Sequence, residues 1–237
     1  MTSFVLKIIA MVTMAIDHIG DAWFKQTTNF NLIGRIAFPI FAFQISEGYT
    51  NTKKLKKYFF RMFIFALISQ IPFMLFRTTF THGFALNIFF TLLFGLLSIF
   101  CYDKICTSTF TFNQNKWLDF SFKHFLAIFV AIFIGIIAQV CKFDYGFFGI
   151  AIIFLFYVFR NKKVYMASSF ALACIIKYGF NILQYGYHYL YVLLCLFTIL
   201  PIIFICLYNK KQGKKIKYAL YFFYPVHLLI LFFIFNC

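Results

Sequence analysis

Apolar residues recur along this chain in long runs, separated by short polar breaks that hold most of the charge. Nine runs can be read, at 4–24, 32–48, 58–76, 84–101, 122–141, 145–159, 164–183, 187–208 and 218–235. About 20 apolar residues in a helix, rising 1.5 Å each, cross the roughly 30 Å of hydrocarbon in a bilayer, and most of these runs come close to that length. Period-two alternation is absent, and the runs are too long for barrel strands. Helices must therefore satisfy the backbone hydrogen bonds in lipid. The pattern predicts an all-α, polytopic membrane bundle of about nine transmembrane helices, forming one domain over residues 1–237. The longest break, 102–121, is rich in Thr, Asn and Ser and is expected to be an excursion from the membrane. No internal repeat is found.

Composition strengthens this reading. The chain is 63% hydrophobic and only 12% charged, whereas about a quarter of a soluble domain is charged. A formal charge of +16 would suggest a nucleic-acid partner in a soluble protein. Here most of the basic residues lie in or beside the breaks and alternate in density, as topology signals do. Lys7, the group Lys53, Lys54, Lys56, Lys57 and Arg61, then Lys104, Lys116 and Lys123, Arg160, Lys162 and Lys163, and finally Lys210, Lys211, Lys214, Lys215 and Lys217 fall on one side. Only Lys25, Arg77, Lys142 and Lys177 fall on the other. This predicts the N-terminus inside and the C-terminus outside, with the lipid bilayer as the main partner and no nucleic acid. The first run keeps Asp17 and His18 and lacks a small-residue cleavage site, so it is expected to stay as a helix. The seven cysteines lack C-x-x-C spacing and read as small apolar fillers.

Ionisable groups inside such runs are costly and are candidates for function. They are Asp17, His18, Arg35, Glu47 and His227. His18 lies about 21 Å along the first helix from Phe4, in its outer half, at a depth similar to that of Arg35 on the next, antiparallel helix. Asp17 and Asp21 share a helical face, so either carboxylate can approach Arg35 or an imidazole. Pro39 cannot donate to the carbonyl of Arg35 and Pro225 cannot donate to that of Tyr221, which predicts kinks beside the buried charge and beside His227. Plainer readings stand alongside. A buried Asp–Arg pair can simply pin two helices, and Glu47 can extend toward Lys53, Lys54 or Lys57. The cluster from Lys53 to Arg61 can serve topology and anionic lipid. His82, His124 and His188 fall at run ends, as surface histidines do. H-E-x-x-H, G-x-S-x-G and P-loop motifs are absent, which argues against a zinc protease, an α/β hydrolase and an NTP-driven pump.

Several motifs occur in order: Asp17-His18-Ile19-Gly20, then Gly34-Arg35-Ile36-Ala37-Phe38-Pro39-Ile40-Phe41-Ala42-Phe43, Glu47-Gly48 and Asn87-Ile88-Phe89-Phe90-Thr91. Asp144-Tyr145-Gly146 with Gly149, and Phe223-Tyr224-Pro225-Val226-His227, complete the set. Together they resemble the TraX family over almost the whole chain. That family is grouped with transmembrane acyltransferases, and its namesake is similar to a membrane acetylase acting on the N-terminus of conjugative pilin. The resemblance implies His18 as the catalytic histidine and Arg35 as its arginine partner. Glu47, Asn87, Asp144 and His227 match motif positions without an assigned role and are taken as candidate substrate-binding residues.

The expected function is therefore a membrane-bound acyltransferase of the bacterial plasma membrane. The donor would be cytoplasmic acyl-CoA, with acetyl-CoA foremost and no metal. The acceptor would be a peptide N-terminus or a cell-surface glycan presented outside. His18 would be the general base, with Asp17 and Arg35 beside it. Asn87 would start the fourth helix and offer an amide, and Asp144 would cap the sixth. Lys53, Lys54, Lys57 and Arg61 would hold coenzyme A phosphates. The rival reading is a small-molecule transporter in which His18, Asp17 and Arg35 bind substrate or relay protons; a weaker one is a non-catalytic assembly subunit.

Overall fold

A computed structural model describes residues 1–24, 29–78, 83–112, 115–214 and 217–236. Lys25, His82, Lys215 and Cys237 lie outside the described residues. The described residues form helices α1 (Ser3–Phe24), α2 (Asn29–Gly34), α3 (Ala37–Asn51), α4 (Leu55–Thr78), α5 (Ile88–Cys106), α6 (Lys116–Val140), α7 (Gly146–Val158), α8 (Lys163–Tyr185), α9 (Tyr189–Ile199), α10 (Pro201–Cys206) and α11 (Lys217–Asn236). The all-α, membrane-embedded class expected from the apolar runs is what the chain adopts.

Each expected run has a helical counterpart, but the lengths differ. Among the described residues, seven segments are long and apolar enough to cross a membrane: α1, α4, α5, α6, α8, the continuous stretch Tyr189–Cys206 and α11 from Tyr218. The run at 145–159 becomes α7, only 13 residues long. The run at 32–48 is divided into α2 and α3 at Arg35 and Ile36. The anticipated kink at Pro39 is thus a full break one turn earlier. Pro39 sits in the first turn of α3, where its missing N–H is one the helix start would leave unpaired anyway.

These shortened helices occupy the middle of the bundle. α3 packs against α1, α5, α7 and α10, and α7 packs against α3, α5, α6 and α8. Phe38, Ile40, Ile152, Ile153 and Phe156, all from α3 and α7, are among the largest fully buried side chains. Longer helices shield them from lipid, so the backbone can leave helical geometry at membrane depth where protein or a polar cavity meets it. α5 and α7 approach closely because Gly149 lacks a Cβ, which would fall 2.4 Å from the Thr91 Cγ2. The outer helices leave Leu172, Ile175, Ile176 and Phe180 exposed, as helices facing lipid do.

The break expected at 102–121 is shorter, because α5 continues to Cys106 and α6 begins at Lys116. Asp103 explains the extension. Its carboxylate accepts hydrogen bonds from Tyr49 (2.9 Å) and Tyr157 (3.0 Å), tying α5 to α3 and α7 past the end of the apolar run. Asn115 then caps α6 by accepting from the Trp117 amide at 3.0 Å. At this same end the backbone of Ser3 donates to Lys211 (2.9 Å) and that of Phe4 to Gln212 (3.1 Å). At the opposite end Leu86 donates to Lys142 (3.0 Å), and Asp144 donates to Leu86 (2.8 Å).

Candidate active site

The break between α2 and α3 and the left-handed Tyr145 that starts α7 border one polar cavity. Its volume is about 250 Å³, and its walls include Asp17, His18 and Asp21 from α1, Gly34 and Arg35 at the α2–α3 break, and Asp144 and Tyr145 before α7. Arg77 and Tyr224 complete the polar lining.

Asp17 is held differently from the sequence reading. Asn31 on α2 donates to Asp17 Oδ1 at 2.9 Å and to Asp21 Oδ1 at 2.6 Å, so one amide spans both carboxylates. Arg35 shares the cavity and faces Tyr145, Asp17, Tyr178 and Asp144, yet among the described residues comes within 4.0 Å of no carboxylate. The close Asp–Arg pair, one of the arrangements the sequence allows, is not formed among the described residues. The Arg35 Nε is buried and has no hydrogen-bond partner among the described residues. A buried guanidinium nitrogen left in this way can donate to a negative charge arriving in the cavity.

His18 packs near Phe76, with ring centroids 5.4 Å apart, and its Nδ1 lies 2.7 Å from Nε2 of His227 on α11. The Nδ1 of His227 in turn meets the Phe223 carbonyl at 2.7 Å. Two histidines read separately from the sequence therefore form one hydrogen-bonded pair, and α11 is drawn to α1.

Asp144 does not cap α7. Tyr145 occupies that position in the left-handed region (φ 64°), and Gln139 Oε1 accepts from the Phe147 amide at 3.1 Å. Asp144 is instead fixed by its backbone, with its carbonyl accepting from the Thr91 hydroxyl, while its residue lines the cavity. Tyr145 stacks on Phe38 at 3.9 Å, 13° from parallel. Behind it, Lys177 of α8 lies 4.1 Å from the Phe148 ring centroid and 5.4 Å from those of Tyr145 and Tyr178. The sequence alone marks Lys177 only as a topology charge.

Asn87 is engaged elsewhere. It is fully buried, caps α5 by accepting from the Phe89 amide, and donates through Nδ2 to the Ala66 carbonyl (2.7 Å) and to Gln70 (2.8 Å). It lines neither this cavity nor the next.

A larger cavity of about 580 Å³ lies toward the other end of the bundle. It shares Met14, Phe41, Ile88 and Tyr224 with the smaller one, so those side chains stand where the two meet. Its polar walls hold Lys7, Glu47, Arg61, Tyr208, Lys210 and Lys214. Arg61 is steadied by Tyr58 and Tyr221, whose ring centroids are each 5.6 Å from the guanidinium. Glu47 faces this cavity, and among the described residues it makes no ion pair with Lys53, Lys54 or Lys57. Those three lysines are exposed and line neither cavity. Of Lys53, Lys54, Lys57 and Arg61, only Arg61 lines a cavity. Lys7, Lys210 and Lys214, passed over as topology signals, stand with it. Lys7 carried a usable signal, since it falls inside the first apolar run.

Residues 3–235 match the family described as TraX protein. The chain is 24% identical to "Probable fimbrial assembly protein FimC, serogroup H1" of Dichelobacter nodosus, over 97% of this chain and 94% of that one. It is 30% identical to an uncharacterised protein of Rickettsia prowazekii (strain Madrid E) over 72% of this chain, spanning 59% of that protein's length. No solved structure matches.

Proposed function

The chain belongs to the TraX family, and from that premise we propose that it is an acyl-CoA-dependent membrane acyltransferase with His18 as general base. The observation that carries this reading is one cavity bordered by the His18 imidazole and by Arg35, whose buried Nε has no partner among the described residues, adjoining a larger cavity lined by four basic residues.

In this proposal acetyl-CoA occupies the larger cavity. Lys7, Arg61, Lys210 and Lys214 hold its phosphates, and its thioester reaches past Met14, Phe41, Ile88 and Tyr224. The acceptor amine or hydroxyl enters the smaller cavity. His18 Nε2 takes the proton as the acceptor attacks the thioester carbonyl. Arg35 stabilises the resulting oxyanion. Collapse breaks the C–S bond, and the departing thiolate takes the proton from His18. The products are the acylated acceptor and free coenzyme A.

Asp17, Asp21 and Asp144 on the same wall favour an amine, which arrives as a cation, gives its extra proton to one of these carboxylates and attacks as the free amine, its second proton going to His18. Likeness to a probable fimbrial assembly protein supports a peptide N-terminus as its source. In the proposed plasma-membrane orientation, the basic cavity opens to the cytoplasm and the smaller one to the outside.

The test is transfer of labelled acetyl from coenzyme A to a peptide amine by purified protein, wild type against His18→Ala at matched folded concentration. Transfer should fall about 10²–10⁴-fold in the variant. Equal transfer by the two would overturn the mechanism.

A further inference from the structure

The hydrogen-bond chain that ends at His18 has only one consistent arrangement of protons when both rings are neutral. A carbonyl oxygen can only accept, so the His227 Nδ1 facing Phe223 at 2.7 Å carries a proton. The Nε2 of neutral His227 is then bare and accepts. The contact at 2.7 Å therefore places the other proton on His18 Nδ1. His18 Nε2 is left with its lone pair, and among the described residues it has no hydrogen-bond partner.

The opposite order would need an imidazolium at His227. Among the described residues no carboxylate lies within ion-pair distance of either ring to compensate such a charge. The neighbours of His227 are instead Phe223, stacked at 4.7 Å, and Tyr224 at 5.8 Å.

We propose that His227 is a positioning residue that holds His18 in the Nδ1–H tautomer, so that the basic nitrogen is Nε2 on the cavity side. This rests on the reading of His18 as the base. A free histidine in water prefers the other tautomer, with its proton on Nε2. In that form the lone pair of His18 would be on Nδ1, turned toward α11, and no proton could be taken from an acceptor. The second nitrogen of an imidazole is commonly set in this way by the partner of the first. In a Ser-His-Asp hydrolase, losing the group that fixes the tautomer lowers kcat about 10⁴-fold. Here a neutral imidazole anchored on a backbone carbonyl takes that place, and it suits a membrane interior because it adds no charge.

The experiment is two-bond proton–nitrogen correlation on protein with 15N-labelled histidine, in nanodiscs, with His18→Ala used to assign the His18 signals. Wild-type His18 should show a protonated Nδ1 and a bare Nε2. In His227→Phe, which keeps a ring but cannot accept, the proton should move to Nε2. In His227→Gln, whose carbonyl can accept, it should return to Nδ1. Acetyl transfer should follow: kcat about 10²-fold or more lower in His227→Phe, partly restored in His227→Gln, with KM for acetyl-CoA unchanged.

A wild-type His18 protonated on Nε2, or a tautomer indifferent to His227→Phe, would overturn the inference. A tautomer that switches while kcat stays constant would equally remove His227 from the reaction. If no protein transfers acetyl yet the tautomer switches as described, the positioning role stands and the acyltransferase reading fails. Should His227→Phe not fold, His227→Leu, which likewise cannot accept, takes its place, and a wild-type His18 protonated on Nε2 overturns the inference in either case.

Discussion

The Asp17 carboxyl lies directly over the backbone of Gly34: a Cβ at that position would fall 2.1 Å from Asp17 Cγ. This contact brings α1 against α2 and lets Asn31 reach both Asp17 and Asp21. Gly34→Ala should therefore displace Asp17 and open the Asn31 bridge. Overpacking of this kind costs about 1–3 kcal/mol. The protein should remain helical and membrane-inserted with a lowered Tm and strongly reduced acetyl transfer. Normal Tm and turnover in Gly34→Ala would show that the contact is dispensable.

Arg35→Lys tests the guanidinium. A lysine ammonium on a flexible stem cannot reproduce a directed planar donor placed at the break between α2 and α3. Loss of one oxyanion donor usually costs about 10²–10³ in kcat. The same loss is expected here, with folding judged by gel filtration and circular dichroism. Near-normal kcat would reduce Arg35 to a general positive charge.

Donor binding should separate the two sets of lysines. Lys7→Ala, Lys210→Ala and Lys214→Ala should each raise KM for acetyl-CoA about tenfold, since each removes a charged contact to phosphate at roughly 1.4 kcal/mol. The triple change of Lys53, Lys54 and Lys57 to Ala should leave KM where it was, because none of these lines the larger cavity. The reverse pattern would return phosphate binding to the exposed loop. Binding of coenzyme A by the wild type, measured by calorimetry, also separates an acyltransferase from the transporter reading.

Proton abstraction by a neutral imidazole implies a definite sign for the pH dependence. Protonated His18 cannot accept a proton, so kcat/KM should be full on the alkaline side of its titration and fall on the acid side. The measurement is kcat/KM with an acceptor whose amine stays in one ionisation state across the range. A rate that rises toward acid would exclude His18 as the base.

The shortened central helices make topology worth measuring directly. Reporters after Lys57, Lys162 and Lys211 should read cytoplasm, and one at the C-terminus should read outside. A reporter after Asn113, which lies outside the described residues, should also read cytoplasm. If the segments at 32–48 and 145–159 cross the membrane despite the break and the 13-residue length of α7, Lys57 and Lys162 will share a side. An outside signal at Lys57 would overturn the orientation drawn from the basic residues.

Hydropathy along the chain determined the helices, because exclusion of water by lipid acts on each run of residues locally, whatever its neighbours are. The same linear reading found Asp17, His18, Arg35, Glu47 and His227, since a polar group in an apolar run stands out wherever the run is packed, whereas Asp144 lies between two runs and was marked only by the resemblance of its motif. What each group touches was decided only in three dimensions. Successive helical positions turn by about 100°, and packing sets how each helix is rotated toward the others. That rotation gave Asp17 to Asn31 instead of Arg35, and Glu47 to the larger cavity instead of the nearby lysines. It joined His18 to His227 across 209 residues of sequence. It also separated Lys7, Lys210 and Lys214, which line a cavity, from Lys53, Lys54 and Lys57, which do not. Charge counting could not make that distinction, because a lysine that marks the membrane boundary and one that faces a cavity look alike until the chain is folded.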